Sequence, residues 1–364
     1  MTVIEYHGAH KWRNIGDIAV YKAAKQVFEN YPVIESEAVT DSKIAIIGGG
    51  TLLPHILYKD NFTKRKVNAI FGTGIRHPDF WNRRKDPVDL RYLAGNSGLS
   101  LKRLVNRCPF PINGGVQAVE SRVNGLNIYG DYIRPDDITQ IKNIGFDFIG
   151  VRGPISKELL SDQDIKAEMI GDPALALQVP DVDTVSNRVA VSLHVPSNKM
   201  YGDLYTTIKS TLEYCQENHR TYDFVFVPLS PKDYPINAKA ASKITGATVV
   251  DHATITDVKA VISEYARSEF TIGERLHASI LSAVAGTPFL SIAYRMKHFD
   301  FAASIGVEDW TIRRDDVTAN IISNKVNNTA HGAMPPDIEN EIESRSADIR
   351  SMADAIAERI NKQV

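Results

Sequence analysis

The stretch Thr271-Ile272-Gly273-Glu274-Arg275-Leu276-His277 decides how the surrounding chain folds. Before it, apolar residues recur at helical spacing from Val258 to Tyr265, and after it a second helical pattern runs as far as Gly286. Pro288–Tyr294 is then a short apolar run with the composition of a buried strand. The order strand, helix, strand predicts a β-α-β unit, in which the two strands run parallel.

Charged side chains follow both strands, at the end where parallel sheets bind ligands. Arg275 falls in the first turn of a helix, where a cation is unfavourable against the helix dipole unless an anion binds there. Arg295 and Lys297 follow the next strand and lie at the same edge. These residues predict a site for a phosphate or carboxylate. Two plainer interpretations stay open, namely a surface pair of Arg275 with Glu274 and a core position for His277.

A second arginine has an equivalent setting in the first half of the chain. Arg152 follows the apolar strand at 146–151, and Pro154, which suits the first turn of a helix, comes two residues later. The plain alternative is a surface arginine. Two arginines in the same kind of turn favour a shared anion site.

Two further turns in the first half of the chain are rich in polar residues or in glycine. Asn14 and Asp17 precede a helical pattern, so the first interpretation of Asn14 is a helix cap. Gly49 and Gly50 follow a buried strand and allow a close approach to a sugar or phosphate, or simply a tight turn. The spacing of a dinucleotide-binding turn is missing.

Composition limits the classes of function. The chain has 364 residues, 43% of them apolar and 24% charged, with a net charge of -2, which argues against a nucleic-acid binder that works through bulk charge. No window is apolar enough for a transmembrane segment and the first residues do not form a signal peptide, so a cytoplasmic protein is predicted, with peripheral membrane association left open. Two cysteines and the absence of metal-binding or P-loop motifs predict neither a metal nor a nucleotide cofactor.

The alternation of strands and helices along the chain predicts an α/β protein of two Rossmann-like, doubly wound domains. We expect the first domain at residues 1–183, the second at 184–330, and a long amphipathic helix at 331–364. The acidic stretch 180–187 reads as the hinge between the domains.

The residues around the opening stretch resemble the polysaccharide pyruvyl transferase family. Its C-terminal signature is similar to the runs at 274–279, 285–288 and 292–297. Asn-x-Gly-Asp at 14–17, Arg152 in its strand-to-helix turn and Gly-Asp-Pro-Ala at 171–174 resemble further family elements. The resemblance implies a glycosyltransferase B-like fold, with two domains facing a cleft and a last helix that crosses back to the first domain.

The resemblance also implies an activity. Proteins of this family move a pyruvyl group from phosphoenolpyruvate to a sugar hydroxyl or hydroxyl pair. The expected acceptor is a glycan, or a lipid-linked or nucleotide-linked sugar, of a cell-surface polysaccharide or its precursor. The product is a pyruvate ketal, phosphate is released, and no cofactor is needed. The first domain is expected on the acceptor side and the second on the donor side, and residues 77–137 are a further candidate region for acceptor recognition.

Roles for individual residues follow from the same resemblance and from charge. Arg152 and Arg275 are expected to hold the donor from opposite domains, while Arg275 also stabilises developing charge. His277 is the candidate acid, because an ordinary histidine pKa lies near working pH, and Asp17 the candidate base. The other expected substrate-binding residues are Arg295, Lys297, Asn14, Gly49 and Gly50.

Two other functions are compatible with parts of the pattern. A glycosyltransferase of the same two-domain fold would use a nucleotide sugar, with Asp233 or Glu274 reaching the ribose hydroxyls. A carbohydrate-binding module without turnover is disfavoured, because it has no need of several arginines and a histidine at strand ends.

Overall fold

The computed structural model describes residues 2–8, 14–35, 42–50, 62, 65–75, 135–195, 204–251, 253–329 and 333–363. Residues 52–58, one of the two cysteines, Cys108, and nearly all of the candidate acceptor region 77–137 lie outside these residues.

The first sheet is built from the N-terminal half of the chain. Its six strands are β1 Ile4–His7, β2 Val33–Glu35, β3 Ile44–Gly48, β4 Val67–Thr73, β5 Phe148–Val151 and β6 Glu168–Met169. They are all parallel and lie in the order β2-β1-β3-β4-β5-β6. The helices are α1 Ile15–Val27, α2 Pro135–Ile144 and α3 Pro154–Ser161, and a 3-10 turn covers Pro173–Ala176. The central strands β3 and β4 are buried along their whole length, as their predominantly apolar sequence predicts.

The second sheet is also parallel. Its strands are β7 Arg188–Ser192, β8 Asp223–Phe226, β9 Thr248–Val249, β10 Phe270–Gly273, β11 Phe289–Ala293 and β12 Thr311–Arg313. Their order is β12-β11-β10-β7-β8-β9, so the direction of winding reverses between β7 and β10. The helices are α4 Leu204–Asn218, α5 Tyr234–Ala241, α6 Val258–Ala266, α7 Leu276–Val284, α8 Lys297–Ser304 and α9 Ala319–Thr329. Short 3-10 segments cover Thr254–Thr256, Glu308–Trp310 and Arg314–Asp316.

These two sheets confirm the predicted fold class of two Rossmann-like, doubly wound domains. The opening stretch is β10 followed by α7, and β10 pairs in parallel with both β7 and β11, as the β-α-β prediction requires. The strands of the two sheets lie within 4–169 and 188–313. The domain limits at 183/184 and 330/331, and the division into acceptor and donor sides, stay predictions.

The last helix, α10 Pro336–Gln363, crosses back to the first domain. It packs against β4, β5, α1 and the 3-10 turn. Its buried side chains are Ile338, Ile349, Met352, Ala353, Ile356 and Ile360. The crossing confirms the expected arrangement of the C-terminus. Of the helices that the structure describes, none has the length and apolar character to cross a bilayer.

The carboxyl ends of the two sheets face each other and the domains touch there. Val151 and Ile155 of the first domain share a buried apolar cluster with Met296 and Phe299 of the second. The strand-to-helix turns that carry the candidate residues therefore meet at one place.

Candidate functional site

Arg275 lies at the start of α7, as its helix-capping residue, and its guanidinium group is already engaged. Nε and Nη2 donate to Oδ2 and Oδ1 of Asp233 at 2.5 and 2.9 Å. Burial acts to lower the pKa of Arg275, but the Asp233 carboxylate leaves it raised above its ordinary value. The expected alternative of a surface pair with Glu274 is wrong. Glu274 is buried, accepts a hydrogen bond from the backbone N–H of His194 at 2.7 Å, and lies 3.3 Å from Nε of Arg314.

Arg152 lies directly after β5 and is completely buried, so it is not the surface arginine of the plain alternative. Its Nε donates to Oδ2 of Asp172 at 2.8 Å, and its Nη2 donates to the carbonyl oxygen of Gly50 at 2.6 Å. Nη1 is buried and has no hydrogen-bond partner among the residues described. A buried guanidinium donor without a partner is costly unless a ligand supplies the acceptor.

His277 lies in the first turn of α7 and contacts the first domain. A methyl group added to Gly16 would lie 2.1 Å from Cγ and Nδ1 of His277, so only glycine permits this approach. Nε2 of His277 is 3.8 Å from Oδ2 of Asp172 and has no hydrogen-bond partner within the described part of the chain.

The pKa of His277 differs from the ordinary value on which its assignment as an acid rested. Burial lowers it to about 4, and the nearby Asp172 carboxylate opposes only part of that effect. The imidazole is therefore neutral near pH 7 when no ligand is bound. The positive charges of Arg152, Lys297 and Arg275 act in the same direction as burial.

Asp17 lies in the first turn of α1, partly exposed, where cations from both domains act on it. Burial raises its pKa to about 6, while the charges of Lys297, Arg275 and Arg152 oppose the rise. The neighbouring Asp172 carboxylate raises it further. A carboxyl group with this pKa is ionised near pH 7 and is still a useful base.

Lys297 begins α8 and lies among other cations. Burial and then the charge of Arg295 lower its pKa well below the ordinary value, and Arg152 acts in the same direction. Its Nζ lies over the ring of Tyr294, 5.1 Å from the ring centre. The charge of the Asp17 carboxylate acts on this pKa in the opposite direction. The surroundings of Lys297 therefore favour a bound anion.

The remaining candidates form the backbone frame of the site. Asn14 caps α1, because its Oδ1 accepts a hydrogen bond from the Gly16 N–H at 3.1 Å. Gly49 and Gly50 have φ of +70° and +65°, and the Gly49 carbonyl accepts a hydrogen bond from Oγ1 of Thr73 at 2.8 Å. These contacts account for the residue types by turn geometry. Substrate contacts of the three residues stay predictions.

Sequence reasoning missed the aspartates that position the arginines. In the sequence, Asp172 stands out only as part of the Gly-Asp-Pro-Ala run. In the structure it caps the 3-10 turn by accepting from the Ala174 N–H, and it also accepts from Nε of Arg152. Asp233 had been considered only for a nucleotide ribose. Nothing in the sequence marks either aspartate as the partner of a particular arginine, since the pairs are 20 and 42 residues apart.

The site as a whole has unpaired donors and uncompensated positive charge. Nη1 of Arg152 and Nε2 of His277 lack acceptors within the described ranges. The positive charges of Arg295, Arg152 and Arg275 act on Lys297, and the Asp17 carboxylate opposes them. Arg275 and Lys297 come from the second domain and Arg152 from the first. This arrangement can hold a small, multiply charged anion next to a neutral imidazole and a carboxylate, Asp17.

Residues 138–295 match the family model "Polysaccharide pyruvyl transferase". The match indicates a transferase enzyme and confirms the resemblance over this stretch, somewhat less than half of the chain. It contains Arg152, Asp172, Asp233, Arg275 and His277, whereas Asp17 and Lys297 lie outside it. No functionally curated protein shows significant sequence similarity to the chain.

Solved structures with a similar fold include UDP-sugar epimerases and a glycosyltransferase. UDP-GlcNAc 2-epimerase from Neisseria meningitidis, bound to UDP-GlcNAc, is 10% identical, with 100% of both chains covered and a TM-score of 0.46. A putative UDP-N-acetylglucosamine 2-epimerase from Listeria monocytogenes is 11% identical, with 100% of this chain and 97% of that chain covered and a TM-score of 0.48. ADP-heptose lps heptosyltransferase II from E. coli is 11% identical, with 90% and 98% covered and a TM-score of 0.36. Similarities at this level do not carry a substrate from one protein to another.

Proposed function

From the premise that residues 138–295 match the polysaccharide pyruvyl transferase family, we propose that the chain transfers a pyruvyl group from phosphoenolpyruvate to a hydroxyl pair of a sugar. The acceptor belongs to a cell-surface polysaccharide or its precursor, and the product is a cyclic pyruvate ketal. The observation that carries the proposal is the meeting of Arg152, Arg275 and Lys297 around Asp17 and His277.

The donor fits the charge of this site. Phosphoenolpyruvate carries a phosphate and a carboxylate on neighbouring atoms, so it needs cationic groups in fixed positions on more than one side. Asp172 and Asp233 fix the two arginines before the donor arrives, which reduces the ordering that binding requires. Lys297 adds a point charge and Arg295 adds positive potential.

The chemistry begins with protonation of the donor's methylene carbon, which becomes a methyl group. The resulting oxocarbenium-like carbon is attacked by an acceptor hydroxyl, whose proton passes to a base. The C–O bond to phosphate then breaks, phosphate leaves with its bonding electrons, and the second hydroxyl attacks the same carbon. One proton from the acid enters the methyl group, one proton ends on phosphate, two hydroxyl protons leave, and the net products are the ketal and hydrogen phosphate.

His277 is the proposed acid and Asp17 the proposed base. The neutral imidazole of the free site becomes an acid only when a negative charge raises its pKa, and the donor's phosphate and carboxylate provide that charge. Asp17, with a pKa of about 6, is ionised near pH 7 and can accept a hydroxyl proton. The donor itself thus switches the histidine to its acidic form.

The nucleotide-sugar alternative receives less support from the same contacts. Asp233 is completely buried and accepts hydrogen bonds from Arg275. Glu274 is also buried, accepts a hydrogen bond from the His194 N–H and lies beside Arg314. Neither carboxylate is free to receive the hydroxyls of a ribose.

The proposal is tested by incubating the protein with phosphoenolpyruvate and candidate acceptors and following phosphate release. We expect acceptor-dependent phosphate release that falls by at least about 100-fold in Arg275→Lys, which keeps the charge but loses the two parallel hydrogen bonds to Asp233. Arg275→Ala should abolish phosphate release, but it also leaves the buried Asp233 carboxylate without its arginine partner. Arg275→Lys is therefore the better test of the role of the guanidinium group. Nucleotide release from a sugar nucleotide, with none of phosphate from phosphoenolpyruvate, would refute the proposal.

A further inference from the structure

Helix α3, which follows Arg152, begins without a side-chain cap of its own. Its capping position is Gly153, which has no side chain, and no side-chain hydrogen bond from the capping residue closes the helix start. The free N–H groups of a buried helix start need acceptors. In this protein they find one in the other domain.

Asp300 of α8 supplies that acceptor across the domain interface. Its Oδ1 accepts a hydrogen bond from the Ser156 N–H at 3.0 Å, and its Oδ2 accepts one from the Ser156 hydroxyl at 2.6 Å. Both residues are only 2% exposed. The hydroxyl oxygen of Ser156 also accepts a hydrogen bond from the N–H of Ile75, just beyond β4. One buried contact therefore joins α8, α3 and the end of β4.

Backbone packing and apolar side chains enclose this contact. A methyl group on Gly153 would lie 2.0 Å from the carbonyl oxygen of Asp300, so the two backbones meet more closely than any other residue would allow. Ile155 and Phe299, the neighbours of the pair in sequence, lie in one buried cluster. Water is thereby kept from the hydrogen bonds, which strengthens them.

The contact between Asp300 and Ser156 lies close in sequence to two basic residues, one in each domain. Lys297 lies three residues before Asp300, and Arg152 lies four residues before Ser156. The positive charge of Arg152 acts to lower the pKa of Lys297, so the two side chains interact across the domain interface. When both groups are protonated, their repulsion opposes the approach of the domains that carry them.

We propose that Asp300 and Ser156 form an interdomain latch that holds Lys297 beside Arg152 and so assembles the binding site for the donor's phosphate before the donor arrives. They are positioning residues, and neither touches the reacting atoms. This inference rests on the proposed function for the identity of the donor, but the latch itself requires only that a phosphate dianion binds between the two cations. Asp300 lies beyond the stretch that matches the family model.

The test compares Ser156→Ala and Asp300→Asn with a matched control. Ser304→Ala removes an equally buried hydroxyl from the same helix, one whose hydrogen bond goes to Phe301 of its own helix. Binding of inorganic phosphate is measured by calorimetry, and KM and kcat are measured with phosphoenolpyruvate. We expect both latch variants to raise the Kd for phosphate and the KM by at least about tenfold, with kcat changed less than about threefold. The control should resemble the wild type.

The double variant gives a second reading. Because both single changes remove the hydrogen bond between the Ser156 hydroxyl and the Asp300 carboxylate, Ser156→Ala/Asp300→Asn should weaken phosphate binding by less than the sum of the two single effects. If Asp300→Asn does not fold, Ser156→Ala still decides the matter. Phosphate binding of wild-type strength in Ser156→Ala, or a loss in kcat with unchanged KM, would overturn the latch.

The outcomes for the latch and for the proposed function are separate. Weaker phosphate binding in the latch variants, together with no turnover of phosphoenolpyruvate in the wild type, supports the latch and refutes the donor. Normal turnover of phosphoenolpyruvate by the wild type, together with phosphate binding that neither substitution changes, supports the donor and refutes the latch.

Discussion

At Gly16 the absence of a side chain lets the first domain reach the second. The α1 backbone lies against the imidazole of His277 and leaves no space for a methyl group. The same turn carries Asp17, so the close approach sets how far the candidate base lies from the candidate acid. A glycine in this turn therefore controls the distance between the candidate base Asp17 and the candidate acid His277.

Replacement of Gly16 by alanine should displace the His277 ring. We expect Gly16→Ala to lower the free energy of unfolding by about 1–3 kcal/mol, the usual cost of overpacking, and to reduce kcat strongly. Urea unfolding and the phosphate-release assay measure the two effects. In Gly16→Ala/His277→Ala stability should return only in part, because Cβ of residue 277 would still lie 2.6 Å from the added methyl group, while activity stays low. A double variant no more stable than the single one would show that the clash is not with the ring.

Asp17 should make stability depend on pH. Its pKa in the folded protein, about 6, is above its ordinary value of 3.8, so folding favours the protonated form. The stability that this proton contributes is fully present below pH 3.8 and is lost as pH rises through about 6.

Asp17→Asn removes this dependence, because asparagine stays neutral. We expect the variant to gain up to about 1–3 kcal/mol over the wild type, with the gain growing between about pH 4 and pH 6 and constant above. Acceptor-dependent turnover should fall, since the base is lost. Urea unfolding at several pH values measures the gain, and Asp181→Asn, in the exposed linker, is the control. A gain that is the same at every pH would contradict the assignment.

Helix α10 contributes buried apolar side chains to the core of the first domain and carries none of the candidate site residues. Ile349, Met352 and Ile356 of its buried face join the apolar cluster that contains Ile170 and Ala174. Arg359 of this helix also pairs with Asp147 at 3.2 Å. The helix thus braces the strand-to-turn segment from which Asp172 reaches Arg152.

Truncation of one side chain on this face should weaken the first domain. Ile356 is completely buried, so Ile356→Ala should cost about 2–4 kcal/mol of unfolding free energy. Ile342 on the same helix is only partly buried, and Ile342→Ala should cost distinctly less. Urea unfolding of both variants decides the comparison. Equal losses would mean that the docking of α10 is not centred on Ile356.

At the scale of the whole molecule, the site belongs to neither domain alone. Arg152 comes from the first sheet, Arg275 and Lys297 come from the second, and all three act on Asp17. An anion held by these groups interacts with both domains at once. Ligand binding should therefore stabilise the two domains together.

Phosphoenolpyruvate should accordingly protect both domains from opening. At about 100 times its Kd it should raise the unfolding free energy by about 2.7 kcal/mol, and hydrogen exchange should slow in both α3 and α7. Lys297→Met should lose most of this protection without loss of the apolar packing around Met296. Protection confined to one domain would contradict a site shared by two.

The degree to which sequence predicted this protein differs between its parts. The strands β3, β4, β10 and β11 are predominantly apolar runs that end at or beside a glycine, or shortly before charged residues, and such patterns depend only on neighbours along the chain. The edge strand β6, of two residues, carries too little pattern to be bounded from sequence. The sites at 14–17, 152 and 275–277 were found because each lies at a strand's carboxyl end.

The partners of those residues were not predictable in the same way. Asp233 and Arg275 meet because the second sheet reverses its winding between β7 and β10, which places loops of distant sequence side by side. Burial likewise took His277 from an ordinary histidine pKa to about 4, and burial is a property of the packed domains.

By itself the sequence determined the parallel α/β architecture, the family resemblance and the edge at which charged residues gather, because local periodicity and turn chemistry carry that information. Only the tertiary structure decided that each arginine is held by an aspartate, that the histidine is neutral and that Asp300 caps a helix of the other domain. These features depend on distances between segments far apart in the chain, and such distances are fixed only when the two domains pack together.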